Sequence, residues 1–228
     1  MSREGVSASI SGSEMTIRKG EPWGEPAGIE SPTLMVSTDS EWAAVLQGYR
    51  NSQTVSPVIG LLGGSLHRTL GAPQRDEAAL RAGEGYIYPI DVGILEFSDA
   101  QGEKREVVFV AHLLALTDPR SRLWKGRTVI AMNAAFLDDL NLAPKSHPND
   151  GRLDVTDGQL DRSQRRQALR RAVTGSHLPH PALMEQRVST RLEVRGETEF
   201  RFLADGLLCG AARQFSLTCM PDAARILL

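Results

Sequence analysis

The chain has 228 residues, enough for one large domain with a smaller appendage and for a full hydrophobic core. Its 41 % hydrophobic and 24 % charged residues are ordinary for a globular protein and exclude a disordered one. The formal net charge of −2 argues against broad nucleic-acid binding, which needs many excess Lys and Arg residues to neutralise phosphates. No window approaches the roughly 20 apolar residues that cross a bilayer, which excludes an integral membrane protein.

The two cysteines and the N-terminus indicate the compartment. Cys209 and Cys219 are the only cysteines, and no apolar run near the N-terminus resembles a secretory signal. Both observations predict a reducing, cytoplasmic setting. We interpret the two cysteines as small core residues on neighbouring strands.

The first 85 residues predict a tail followed by a reduced α/β segment. Residues 1–14 are rich in Ser and Gly without a period, which predicts a disordered tail. Residues 15–85 contain an apolar strand in TLMVS, then a helix whose start has the capping-box spacing of Thr38 and Glu41. A second strand over residues 57–62 leads through Gly63 and Gly64 into a short helix that Gly71 closes.

From residue 86 to residue 228 the sequence pattern predicts mostly strands. The runs bounded by Gly, Asp, Asn or Pro are YIYPIDVGILEF, REVVFVAHLLAL, RTVIAMN, EQRVSTRLEVR, TEFRFLA, RQFSLTC and AARILL. One helix, Arg162 to Val173, interrupts them and is opened by Asp161, and Asp205-Gly206 has the hairpin signature. We therefore predict an α+β fold: a mostly antiparallel β-sandwich-like domain with a reduced N-terminal α/β piece.

The long polar loop inside Thr128–Val155 carries a family resemblance. The order is a strand ending in MNA, a loop, AP-x-x-H-PNDGRLDV, an Arg-rich helix, TGSHLPHP, an alternating strand, ADG and a last strand after MPDAARILL. It resembles the C-terminal β-domain of the diacylglycerol kinase and sphingosine kinase superfamily over roughly Tyr86 to Leu228. The resemblance implies ATP-dependent phosphoryl transfer to a lipid hydroxyl, ATP and Mg²⁺ as cofactors, and Asp205 as the catalytic residue.

Upstream, the sequence departs from the family's nucleotide motifs. MVSTDSEWAAVL stands where the family has V-G-G-D-G-T-L-x-E-V, and only Asp39 matches the nucleotide motif. Residues 36–40 contain no glycine to let backbone N–H groups approach phosphates, and Leu207 replaces the glutamate of the family's D-G-E. Two hypotheses remain: a lipid kinase-like enzyme with degenerate motifs, and a catalytically inactive ligand-binding or regulatory module of the same fold.

The turn before the second helix is the first candidate site. Gly63, Gly64 and Ser65 would present N–H groups at a helix N-terminus, where an anion is stabilised. His67 and Arg68 follow one turn later and would face the same cleft. The alternative is a tight strand-to-helix turn with Ser65 as the N-cap and the two basic side chains on the surface.

The stretch Thr128–Val155 is predicted to form a hairpin of two strands joined by a long polar loop. That loop is another candidate site. Lys145, His147, Asn149 and Asp150 would bring a cation, an imidazole and a carboxylate to the cleft edge, where they would bind a phosphate or another ligand. The alternative is a β-turn, P-N-D-G, that Asp150 caps. Asp205 has a similar alternative, because Asp-Gly is a common hairpin turn.

The remaining predictions concern metals and partners. His177 and His180 offer only two ligands and are interspersed with prolines, so no metal site is predicted. The helix segment Arg162–Arg171 suits an anionic membrane surface, the alternative being a solvated face. We expect a lipid or a phosphorylated small molecule as ligand, no nucleic acid, and a homodimer that buries the face of the reduced segment.

Overall fold

A computed structural model describes residues 23–28, 32–120 and 122–228, so the predicted tail over residues 1–14 lies outside the described residues. The helices are α1 (Asp39–Asn51), α2 (Gly64–Thr69), α3 (Glu77–Arg81) and α4 (Arg162–Ala172). The strands are β1 (Glu25–Pro26), β2 (Leu34–Val36), β3 (Ile59–Leu61), β4 (Tyr86–Ser98), β5 (Lys104–Phe109), β6 (His112–Leu116), β7 (Thr128–Met132), β8 (Phe136–Leu137), β9 (Leu140–Asn141), β10 (Leu153–Gly158), β11 (Leu183–Val188), β12 (Arg191–Ala204) and β13 (Leu207–Leu227).

Most of the described strands form one curled, largely antiparallel sheet in the order β1-β4-β13-β12-β6-β7-β10-β11, with β5 beside β4. The concave side encloses a core rich in phenylalanine: Phe97, Phe109, Phe200, Phe202 and Phe215. The predicted α+β fold with a sandwich-like antiparallel domain is confirmed.

The strands β2 and β3 of the N-terminal α/β piece belong to the same sheet. β2 pairs with β3 in parallel, and β3 pairs in parallel with the end of β13. Trp42 and Leu46 of α1 and Leu66 of α2 pack with Ile59 and Val110 in a second core. The carboxyl ends of β2 and β3 therefore meet at one edge of the sheet. The domain boundary at residue 85 stays a prediction.

The third core lies under α4. Ala168 and Ala172 are the buried residues of α4, and they pack over Leu116, Ile130 and Met132 of β6 and β7. Asp161 caps the helix with a full capping box, as its sequence predicts. None of the helices in the described part of the chain is both long enough and apolar enough to cross a membrane.

Two runs that the sequence predicts as single strands are each divided into two strands in the structure. REVVFVAHLLAL bends at Val110–Ala111 between β5 and β6 because β5 pairs with β4 whereas β6 pairs with β7 and β12. EQRVSTRLEVR bends at Ser189–Thr190 because β11 pairs with β10 whereas β12 pairs with β13. The alternation in EQRVSTRLEVR predicts one dry face that carries Val188, Thr190, Leu192 and Val194, but Thr190 is exposed, so its predicted place on that face is wrong. A change of partner strand is a tertiary property that alternation does not reveal.

Cys209 and Cys219 lie on one strand, β13, and not on neighbouring strands as predicted. Burial raises the pKa of the Cys209 thiol to about 11 and that of the Cys219 thiol to about 12, so both stay protonated at neutral pH. The predicted hairpins are present: β7 pairs with β10, and β12 pairs with β13 across Asp205-Gly206. That turn has φ of 46° and 85°, as the Asp-Gly signature requires.

Candidate functional site

The first part of the candidate site lies where β2 and β3 end. Because the two strands are parallel, the β2–α1 turn and the β3–α2 turn lie side by side. α1 begins at Asp39 and α2 begins at Gly64. This geometry brings the carboxylate of Asp39 against the N-terminus of α2.

Asp39 accepts the backbone hydrogen bonds that a bound anion would accept. Its Oδ2 lies 2.6 Å from the backbone N of Ser65, and its Oδ1 lies 3.1 Å from the backbone N of Leu66. The residue is only 6 % exposed. Burial raises its pKa and nearby Asp205 raises it further, while the two N–H bonds oppose the rise. Of the N–H groups predicted to bind an anion, that of Ser65 is thus already satisfied by the protein's own carboxylate, together with that of Leu66.

The helix start differs from the one that the sequence suggested. Gly63 is the N-cap and has no side chain to bond the helix, so the assignment of Ser65 as N-cap is wrong. Gly64 has a φ of +98°, and a Cβ there would lie 2.6 Å from Asp39 Oδ1. Gly64 is needed because the Asp39 carboxylate approaches its backbone so closely.

Backbone N–H groups at the start of α1 also donate to side chains of the protein itself. Thr38 Oγ1 accepts from the backbone N of Glu41 at 3.2 Å, which confirms the predicted helix start. Glu41 Oε2 accepts from the backbone N of Ser37 at 2.8 Å. Two acidic residues, Asp39 and Glu41, therefore occupy the first turn of α1.

Asp205 is fully enclosed and holds the bend between β5 and β6. Its carboxylate accepts from the backbone N atoms of Val110, Ala111 and His112 at 2.8, 2.9 and 2.9 Å. Burial raises its pKa to about 6, against the effect of these three bonds. The position matched to a catalytic aspartate by resemblance is thus a tertiary cap, and its catalytic role stays a prediction.

His112 was not singled out from the sequence, and it lies between the two aspartates. Its side chain is 6 % exposed, and Nδ1 lies 4.0 Å from Asp205 Oδ1. Neither ring nitrogen has a hydrogen-bond partner within the described residues. Burial lowers its pKa, while the charges of Asp39 and Asp138 raise it. The only signal in the sequence was one ionisable residue inside the apolar run VFVAHLLAL. We call Asp39, His112, Asp205 and the turn Gly63–Ser65 the acidic corner.

The basic residues of α2 reach the β8–β9 hairpin. Arg68 donates to the carbonyl of Asp138 at 2.6 Å and pairs with Asp139 at 3.1 Å. Its guanidinium lies 4.4 Å from the centre of the Phe136 ring. His67 is half-buried, and burial lowers its pKa. Arg68 therefore fastens the hairpin to the acidic corner, with its charge partly neutralised.

The other four predicted site residues lie in the loop before β10. Asn149 Nδ2 donates to Asp222 at 2.6 Å, and the His147 ring lies 4.5 Å from that of Trp23. Asp150 pairs with Arg187 at 2.8 Å, and burial raises its pKa against the charge of Arg187. No hydrogen bond or ion pair joins this loop's four residues to the turn of α2 in the described ranges. The structure brings the predicted residues together as two groups, not one.

A cleft of about 580 Å³ lies beside the second group, between the loop after β9, the strands β10 and β11, and the loop after α4. Leu142, Pro144 and Leu178 contribute apolar wall, and Lys145 and Arg187 contribute positive charge. Asp154 and Glu185 also line it, and Arg187 pairs with Asp154 at 3.0 Å. This size and mixture are typical of ligand sites. In a larger groove of about 740 Å³ over β4 and β5, two of the lining arginines, Arg105 and Arg191, are paired with carboxylates.

The residues of the acidic corner do not fit ATP or Mg²⁺. The described part of the chain has no group of three or more His, Cys, Asp or Glu side chains arranged to hold a metal ion. The N–H groups of Ser65 and Leu66 already bond Asp39, and residues 36–40 have no glycine to bring a phosphate close to the backbone. A polyphosphate would meet carboxylates where it needs donors.

Comparison with solved structures finds the same fold in proteins called diacylglycerol kinases. A proposed diacylglycerol kinase from Bacillus anthracis str. Sterne superposes with a TM-score of 0.61 at 13 % identity, over 85 % of this chain and 77 % of that chain. A diacylglycerol kinase from the same organism gives 0.51 at 16 % identity, over 75 % of this chain and 66 % of that chain. At these identities the likeness shows the fold alone. No curated protein sequence matches significantly.

The sequence itself identifies the family. Residues 109–228 match the model of the YegS C-terminal NAD kinase beta sandwich-like domain. The match includes Asp205, the loop before β10, α4 and the cleft beside it, and it covers more than half of the chain. The chain therefore belongs to the family defined by the YegS C-terminal NAD kinase beta sandwich-like domain.

Proposed function

We propose that the protein is a non-catalytic, ligand-binding member of the diacylglycerol kinase-like family, and that its ligand is an amphiphile with an anionic head. The observation that carries the proposal is the Asp39 carboxylate on the backbone N–H groups of Ser65 and Leu66. These are the donors that an anion would require at this turn. Because a buried carboxylate already takes them, the turn does not serve as a phosphate site.

Electrostatics support the same conclusion. Asp39, Glu41 and Asp205 place acidic groups around the ends of β2 and β3, and Arg68 is engaged with the β8–β9 hairpin. Phosphoryl transfer depends on positioning and on neutralising the phosphate charge. Acidic groups whose neighbouring cation, Arg68, is already engaged work against both requirements.

The cleft beside β10 and β11 supports the choice of ligand. Its walls combine Leu142, Pro144 and Leu178 with the ammonium group of Lys145, whose side chain is exposed. A lipid with an anionic head would place its apolar part against these walls and its head near Lys145. The lipid kinases with the same fold make a lipid the first ligand class to test.

A second candidate is an active lipid kinase, and one observation favours it. Asp39 and Asp205 both match family motifs, and they lie close enough for Asp205 to raise the pKa of Asp39, with His112 near both. Titratable groups with shifted pKa values often cluster at catalytic sites. Under this alternative, ATP and Mg²⁺ would be the cofactors and both aspartates would be required.

The substitution Asp39→Ala separates the two candidates. It frees the N–H groups of Ser65 and Leu66, so the proposal expects the variant to gain thermal stabilisation by inorganic phosphate that the wild type lacks. The matched control is Asp99→Ala, which removes a carboxylate that likewise accepts two backbone N–H groups, from Gln101 and Glu103, in the β4–β5 turn. Control and wild type should show no phosphate effect.

Label transfer from Mg-ATP to a total lipid extract completes the test. The proposal expects no labelled lipid and no thermal shift with Mg-ATP for the wild type. Labelled lipid that disappears in Asp39→Ala, while the variant keeps a cooperative unfolding transition, would establish the kinase and overturn the proposal.

A further inference from the structure

Helix α4 carries an uncompensated positive charge. Its sequence RSQRRQALRRA contains five arginines and no acidic residue. None of the five forms an ion pair within the described residues, whereas arginines on the neighbouring strands do, such as Arg127 with Asp157 and Arg187 with Asp154. Four of the five are exposed: Arg162, Arg166, Arg170 and Arg171. On a chain with a net charge of −2, this concentration of positive charge is local.

The helix presents these arginines outward, and the loop that follows the helix adjoins the cleft. Only Ala168 and Ala172 are buried, and they anchor α4 on the sheet. The loop that follows α4 forms part of the cleft wall through Gly175 and Leu178. A Cβ on Gly175 would lie 3.0 Å from the Cβ of Pro144, so the end of α4 lies directly against the opposite lip.

An exposed apolar residue, Val173, follows the arginines of α4. Val173, at the C-cap of α4, is 57 % exposed and lies between the arginines and the cleft. A basic helix with an apolar residue next to an apolar-walled opening matches the boundary between lipid headgroups and acyl chains. We call α4, Val173 and the adjoining cleft the basic face.

We propose that the basic face docks on an anionic lipid bilayer, with the exposed arginines against the headgroups and the cleft mouth toward the acyl region. The docking is argued from the charge and placement of α4; only the use of the cleft by a lipid rests on the proposed function. Anionic headgroups attract each nearby arginine, and the attraction falls as salt is added. Nucleic acid fits less well, because the apolar opening and Val173 offer nothing to a phosphate backbone.

The test is co-sedimentation with vesicles of phosphatidylcholine alone or mixed with phosphatidylglycerol. Arg162→Gln, Arg166→Gln and Arg170→Gln are combined in one variant, because glutamine keeps the helix propensity. From the attraction per basic residue, partitioning onto the mixed vesicles should fall about 100-fold. The control variant combines Arg75→Gln, Arg195→Gln and Arg213→Gln, three exposed arginines outside α4. It removes the same charge and should bind like the wild type.

Three results would overturn the docking surface: equal loss in both triple variants, equal binding to neutral and anionic vesicles, or preferential binding of a duplex RNA. Unchanged unfolding midpoints in both variants exclude misfolding as the cause of a loss. Failure of the docking proposal is distinguishable from failure of the proposed function. The latter would appear as Mg-ATP binding by the wild type or as labelled lipid in solution.

Discussion

The acidic corner and the basic face use charge in opposite ways. In the acidic corner, carboxylates are buried and turned inward, where Asp39 and Asp205 together bond five backbone N–H groups. On the basic face, the charges of α4 point outward without a partner in the described part of the chain. A buried charge that is fully hydrogen-bonded stabilises one arrangement of the chain, whereas an exposed and uncompensated charge remains available to a partner. The comparison supports the proposal that the basic face binds a partner, while the carboxylates of the acidic corner hold the chain in place.

Replacing Asp205 should have the largest effect on the acidic corner. Asp205→Ala leaves the N–H groups of Val110, Ala111 and His112 buried without an acceptor, which should lower the free energy of unfolding by about 4 kcal/mol. Asp205→Asn keeps one acceptor oxygen and should lose less. Urea unfolding of both variants measures the difference. Wild-type stability in Asp205→Ala would show that the corner does not depend on this cap.

Gly64→Ala tests the close approach of Asp39. The new Cβ would meet the Asp39 carboxylate at 2.6 Å in a backbone with positive φ, so we expect a loss of about 3 kcal/mol. Gly71→Ala is the matched control, because Gly71 has a φ of +92° but nothing within 4 Å of an added Cβ. It should lose only the backbone strain, about 1 kcal/mol. Chemical denaturation measures the loss of unfolding free energy in both variants. Equal losses would mean that the Asp39 carboxylate moves aside for the new Cβ without destabilising the protein.

Asp91 is another buried carboxylate that bonds backbone N–H groups, and it gives a pH-dependent effect. Its carboxylate accepts from the backbone N atoms of Gly151 and Asp222 at 2.6 and 3.0 Å, and burial raises its pKa from 3.8 to about 6. Between these values the folded state holds a proton that the unfolded state has lost. The contribution to stability therefore decreases as the pH rises from about 4 to about 6, by about 3 kcal/mol, and is constant above.

The unfolding free energy of the wild type minus that of Asp91→Asn, measured across this pH range, isolates the Asp91 term because Asp205 titrates in both proteins. A difference that rises with pH would show that the N–H bonds outweigh burial and lower the pKa of Asp91.

Much of the fold was readable from the sequence because its signals are local. The capping box at Asp161, the Asp205-Gly206 turn and the hairpin from β7 to β10 depend on residues close to one another in the chain. The family resemblance rests on such short motifs in order, and the family match over residues 109–228 confirms it. The site roles assigned by resemblance stay predictions.

What the tertiary structure decided are contacts between distant residues. Asp39 reaches a turn 26 residues away, and Asp205 caps a bend about 94 residues away, so neither partner could be read from a local pattern. His112 gained its place between them in the same way. The sequence by itself determined the strands, the turns and an arginine-rich helix, because propensity, spacing and caps act over a few residues. Only the packing of the sheet decided that a carboxylate bonds the N–H groups of Ser65 and Leu66 and that the loop after the arginine-rich helix adjoins a cleft.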